Sequence, residues 1–167
     1  MTVAPIDIPR WLSAFALLAA AHVAPWAAGR ALGHRWAAPI DAGATLWDGR
    51  RLLGDHKTWR GVVASALLCA LLSPLLAYSV WLGLAFAALA MGADLLSSFL
   101  KRRLSLAPGR EVPGLDQIPE ALVPLLWLAP ALQIHWLTVA LLTSLFFLLD
   151  LAAIPLRHRH RSARRGG

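Results

Sequence analysis

Asp94 is the residue that most needs a chemical reason. It is the only charge in residues 61–99, and it precedes a cation cluster, Lys101, Arg102 and Arg103, by seven residues. A carboxylate inside an apolar run is costly and is a functional hypothesis by default. On a helix, positions 94, 98 and 101 fall on one face. Asp94, Ser98 and Lys101 would then line one stripe: an acid able to hold Mg²⁺, a hydroxyl and a cation. That set suits a polyphosphate, because Mg²⁺ takes one or two protein carboxylates and completes its octahedron with phosphate oxygens and water. The structural alternative is an ion pair at a membrane interface, with Lys101 or Arg102 snorkelling to the headgroups.

Two other stretches carry polar chemistry. "WDGRRLLGDHKTWRG", residues 47–61, holds Asp48 and Asp55, three glycines and five basic residues counting His56. Glycine, Gly49 among them, lets backbone approach a ligand closely. Lys57, Thr58 and Arg60 are donors grouped before a helix start, where free N–H groups favour anions. The stretch is not a Walker loop, since no GxxxxGK[ST] occurs. The alternative is a solvated basic loop. "GLDQIPEAL", residues 114–122, places Asp116 and Glu120 at another helix start, where acids are also ordinary. Two carboxylates from different helices, Asp94 and Asp116, could share a metal.

The elements that position these residues are apolar. The chain has 167 residues, 58% of them hydrophobic and 15% charged, with a mean hydropathy of +0.60. Uncharged stretches of roughly 20 residues indicate an integral membrane protein. The expected fold is all-α and polytopic, with about five spans near 11–28, 60–73, 79–103, 118–133 and 136–156. Ser73-Pro74 and Gln133-Ile134-His135 are the expected turns. Residues 1–156 form a single membrane domain and 157–167 a basic tail, read as an anchor on anionic headgroups and not as a nucleic-acid site. The lone Cys69 excludes an intrachain disulfide and reads as packing. The scattered histidines show no metal-ligand spacing.

Charge placement orients the chain. Fifteen of the sixteen Lys and Arg lie in 29–60, 101–110 and 157–165. With five spans these segments share a side, so the positive-inside rule puts them in the cytoplasm and the N-terminus outside. The expected site is a multi-pass plasma membrane, with the chemistry on its cytoplasmic face. Span one is read as retained, because cleavage would export the basic 29–60 segment. A bundle of this size could pair with a second copy. Asp150 reads as a structural acid.

With these motifs placed, the chain resembles the CDP-archaeol synthase family, small membrane cytidylyltransferases related to CDP-diacylglycerol synthases. "DGRRLLGDHKTWRG" (48–61), "GADLLSSFLKRRL" (92–104) and "LDQIPEAL" (115–122) carry the likeness, which covers Trp47 to Leu122. The resemblance implies CMP transfer from CTP to a lipid phosphate, with Mg²⁺ and release of pyrophosphate. It implies Asp94 and Asp116 as metal ligands and Lys101 and Arg102 at phosphate. Asp48, Gly49, Lys57, Thr58, Arg60 and Ser98 would line the nucleotide and phosphate site. The chain departs from the pattern at Gly92-Ala93-Asp94, where the glycine stands one place early. It also departs at Ile118-Pro119-Glu120, where Glu120 stands near an acid that relatives place just after Asp-Gln. A CDP-alcohol phosphotransferase would need Ala-Arg after Asp48-Gly49, and Arg50-Arg51 stand there instead. A different class, a transporter or channel with Asp94 and Asp150 on an ion path, predicts polar residues along a route through the membrane.

Overall fold

The computed structural model describes residues 8–106 and 112–163, with side chains described as far as Ala153. Among the described residues there are six helices: α1 (Arg10–Leu32), α2 (Trp59–Leu75), α3 (Val80–Arg103), α4 (Gln117–Trp127), α5 (Ala129–Leu132) and α6 (Trp136–Ala163). Helices α1, α3 and the Trp136–Ala153 part of α6 are long and apolar enough to cross a membrane. Helix α2 is apolar but has only 17 residues. The expected fourth span, 118–133, is broken into α4 and α5. Leu128 separates them, and Pro130 opens α5 at a position where no backbone donor is needed. The expected tail at 157–167 begins inside α6, which continues to Ala163; the side chains of that tail lie outside the described residues.

Local chemistry sets the ends. Thr58 caps α2, its Oγ1 accepting from the Gly61 N–H at 3.4 Å. Ser79 caps α3, accepting from the Leu82 N–H at 3.2 Å. The turn expected at Ser73-Pro74 falls later, since α2 runs through Pro74 and stops at Leu75. Gln133 takes a left-handed conformation (φ 53°) and turns the chain into α6.

The core is built from small residues. Ala14, Leu17, Leu18 and Ala21 of α1 meet Cys69 of α2, and Phe86, Ala87 and Ala90 of α3. Ala121 and Leu125 of α4, with Val139 and Leu142 of α6, close the other side. Cys69 is buried and free, its Sγ 3.7 Å from the Leu17 carbonyl. Small residues let membrane helices approach closely. Gly83 of α3 lies against Ser73 and the Cys69 carbonyl of α2 so tightly that no Cβ would fit.

All eight tryptophans are exposed. Trp26, Trp36, Trp47 and Trp59 lie toward the end of α1, in the following segment and at the start of α2. Trp11, Trp81, Trp127 and Trp136 lie where α1, α3 and α6 begin and α4 stops. Exposed tryptophan at both ends of an apolar bundle is the pattern of two membrane–water belts.

Candidate active site

The segment between α1 and α2 delivers Lys57 to the bundle, and it is held by an internal hub. The Asp41 carboxylate accepts from the backbone N–H groups of Gly43, Leu53 and Gly54 at 3.2, 3.0 and 3.1 Å. Arg51 Nη2 donates to it at 2.8 Å. The Arg51 guanidinium, aided by the three N–H groups, holds the Asp41 carboxyl far below the usual carboxylate range. Antiparallel bridges Pro39–Thr58 and Thr45–Arg51 fold the segment on itself. At its tip Gly49 takes a positive φ of 69°. Asp48 Oδ2 accepts from Arg103 Nη1 at 2.7 Å, and Arg103 Nη2 donates to the Arg51 carbonyl at 2.8 Å. Thus the segment is clamped to the end of α3.

Lys57 reaches from this frame to Asp94. Its Nζ lies 2.5 Å from each carboxylate oxygen. Asp94 stands nine residues before Arg103 in α3, about 13 Å along the axis. Glu120 of α4 lies close enough that the two carboxyls act on each other. Glu120 Oε2 in turn lies 3.0 Å from His22 Nε2 in α1. His22, Glu120, Asp94 and Lys57 therefore form one continuous polar chain across the bundle, drawn from α1, α4, α3 and the segment before α2.

A second pair lies nearer the end of α3. Lys101 Nζ is 2.7 Å from Asp116 Oδ1, and Asp116 Oδ2 accepts from the Val112 N–H at 3.1 Å. Ser98 and Arg102 are buried. Gln117, next to Asp116, donates from Nε2 to Asp150 Oδ2 at 2.8 Å and accepts from the Gly114 N–H at 3.0 Å. Asp150 of α6 thus anchors the start of α4.

The residues singled out in the sequence separate into groups. Lys57 meets Asp94, and Lys101 meets Asp116. Asp48 and Gly49 belong to the clamp on Arg103. Thr58 is a helix cap. Arg60 Nη1 donates to the carbonyls of Gly33 and Arg35, both at 2.8 Å, at the end of α1. The acid that neighbours Asp94 is Glu120. Sequence reasoning passed over Asp41 and His22. A short loop's hub has no periodic signature, whereas His22 did carry a signal, as the one ionisable residue in the first span after Arg10.

Among the described residues, no group of three or more His, Cys, Asp and Glu side chains is arranged to hold a metal ion. The fit to Mg²⁺ rests on a smaller set. Two carboxyl groups this close are best neutralised by a proton or a cation between them. The Asp94–Glu120 pair therefore offers hard oxygen donors in the number Mg²⁺ takes from protein when phosphates supply the rest.

Known proteins resemble this chain over most of its length. The sequence profile described as CarS-like, CDP-archaeol synthase, matches residues 12–158. A CDP-archaeol synthase of Pyrococcus furiosus is 46% identical over 89 residues, which cover 47% of this chain and 53% of that protein. One from Thermofilum pendens is 40% identical over 103 residues, covering 59% and 50%. The chain thus spans about half the length of the curated relatives it matches. A solved structure, described as structural insight into an intramembrane enzyme for archaeal membrane lipids biosynthesis, superposes with a TM-score of 0.60 at 32% identity. It covers 82% of this chain and 90% of its own. The match across residues 12–158 places this chain in the CDP-archaeol synthase family.

Proposed function

We propose that this chain transfers CMP from CTP to a lipid phosphate, giving a CDP-activated lipid of the CDP-archaeol type and pyrophosphate. The observation that carries the reading is the Lys57–Asp94–Glu120 cluster, a cation and two neighbouring carboxyls toward the basic end of an apolar bundle. The likeness to CDP-archaeol synthases supports the same substrates. The basic segments support a cytoplasmic position for this end.

In the reaction a lipid phosphate oxygen attacks the α-phosphorus of CTP. The bond from that phosphorus to the α,β-bridging oxygen breaks, and the electron pair leaves with pyrophosphate. Phosphoryl transfer of this kind needs positioning and charge neutralisation rather than a covalent protein intermediate. Asp94 and Glu120 would hold Mg²⁺, with Asp116 a further acid one turn earlier on α4. When bound, the ion neutralises phosphate charge and polarises the reacting phosphorus. Lys57 lies where an ammonium can move from carboxylate to phosphate. Lys101 and Arg102 stand nearer the end of α3, placed to meet a second phosphate group. The apolar bundle keeps the lipid chains out of water while the phosphates meet.

The test is incorporation of tritiated CTP into chloroform-extractable lipid by the detergent-purified protein. Phosphatidic acid and an isoprenoid-ether glycerol phosphate are the acceptors, each with and without Mg²⁺. Mg²⁺-dependent incorporation that Asp94→Asn abolishes is the expected result, and the preferred acceptor identifies the lipid. No incorporation into either lipid and no CTP binding would overturn the reading and favour an ion path.

A further inference from the structure

His22 stands in the middle of an otherwise apolar stretch of α1, and no motif of the proposed chemistry reaches it. Nevertheless it is fixed on three sides. Its Nδ1 lies 2.9 Å from the Leu18 carbonyl one turn back. A carbonyl only accepts, so Nδ1 donates there, and a ring that carries protons on both nitrogens donates from Nε2 to the Glu120 carboxylate. The ring packs on Phe146 of α6, with centroids 4.6 Å apart and planes tilted by 52°. The remaining direction is the 3.0 Å contact to Glu120 Oε2.

That contact joins α1 to α4, while each helix packs mainly on other partners. Helix α1 lies on α2 and α3, while α4 lies on α3 and α6. Glu120 sits only three residues into α4, where a long acid on the first turn has several rotamers open to it. Two partners hold it in one of them: Asp94 on one side and His22 on the other.

We propose that His22 is a positioning residue for the transfer reaction, holding Glu120 against Asp94 from outside the cluster that meets substrate. The inference rests on the function proposed above. Outer partners that orient ligating carboxylates commonly contribute 10- to 100-fold in metal affinity or turnover. A side chain that merely filled space beside Phe146 would contribute nothing of this kind.

Two isosteric halves of the imidazole separate the cases. Gln places its amide nitrogen near the position of Nε2 and can still reach Glu120. Asn places it near Nδ1 and can reach only the Leu18 carbonyl. Mn²⁺ affinity, measured by electron paramagnetic resonance on the full chain in detergent, is read beside the steady-state transfer rate. His22→Asn is expected to weaken Mn²⁺ binding and lower kcat by about 10- to 100-fold, with the lipid KM unchanged. His22→Gln is expected to stay within about threefold of wild type on both. His22→Ala is the replacement should the Asn variant not fold, with the same loss expected. Equal Mn²⁺ affinity in wild type and the Asn or Ala variant, including no binding in any of them, overturns the proposal. Equal losses in the Asn and Gln variants overturn it as well. A wild type that binds Mn²⁺ but transfers no CMP overturns the proposed function, and the affinity comparison still judges His22.

Discussion

Lys57 Nζ sits 2.5 Å from both carboxylate oxygens of Asp94, joining the segment before α2 to the interior of α3. Both side chains are largely buried, at 25% and 19% exposure. Removing one partner of such a pair leaves a charge without its neutralising partner. Lys57→Met is therefore expected to destabilise the protein by about 3–5 kcal/mol. Asp94→Asn in the same chain should restore much of that loss without restoring transfer. Thermal melting in detergent, run beside the CTP assay on both single variants and the double, checks this.

The two acids of α4 should separate by role. Glu120 neighbours Asp94, whereas Asp116 faces Lys101. Glu120→Gln is expected to raise the Mg²⁺ concentration needed for half-maximal transfer by about tenfold or more. Asp116→Asn should act chiefly on the substrate KM through Lys101. A Mg²⁺ titration of both variants decides it, and an Asp116 variant with the larger metal defect would exchange the two assignments.

Asp41 gives a pH prediction. Arg51 and three backbone N–H groups hold its carboxyl well below the ordinary range. A carboxyl whose pKa is depressed on folding stabilises the fold above its unfolded pKa of about 3.9. That stabilisation drains away as pH falls toward the depressed value. The 41–55 segment should thus resist proteolysis at neutral pH and down to about pH 4, and open below it. Asp41→Asn should be open at neutral pH too, which limited proteolysis across pH would show.

Arg60 was a nucleotide candidate by sequence and is a helix cap in the fold. Arg60→Ala is expected to cost no more than about 0.5–1.5 kcal/mol, since water can reach the two exposed carbonyls it frees after α1. The KM for CTP should stay within about twofold of wild type, so a rise of tenfold or more would return Arg60 to the nucleotide site.

Gly83 offers a test of packing alone. Any Cβ there meets the Cys69 backbone and Ser73. Gly83→Val should separate α2 from α3 at a cost of about 1–3 kcal/mol or more. A lowered melting temperature with an unchanged Mg²⁺ requirement in the remaining folded protein is the expected pattern.

The greater part of the fold was legible because a membrane core imposes long uncharged runs, and the chain's charges mark where those runs stop. Helices α1, α3 and α6 fall where hydropathy puts them. The break between α4 and α5 was hidden, since Pro124 and Pro130 sit in sequence that is apolar throughout. Asp94 stood out as the lone acid of its run. Its neighbour was harder to read, because Asp116 and Glu120 lie four residues apart on one helix start. The depth to which α4 descends beside α3 decides which of them meets Asp94, and no spacing in the sequence records that depth. Arg60 and Thr58 carry a related ambiguity: the donors that suit a phosphate also suit the ends of helices.

The tryptophan belts give the position of Asp94 a further meaning. With rings at both ends fixing how the bundle sits, the carboxyl pair lies at a set height, roughly 13 Å inward along α3 from Arg103. A thicker bilayer, or one with stiffer headgroup packing, would leave the belts and the lipid surface out of register. The lipid phosphate would then have further to sink before it met the nucleotide. If the proposed transfer takes place there, bilayer thickness would set how far the lipid phosphate must descend to reach the Asp94 end of the cluster.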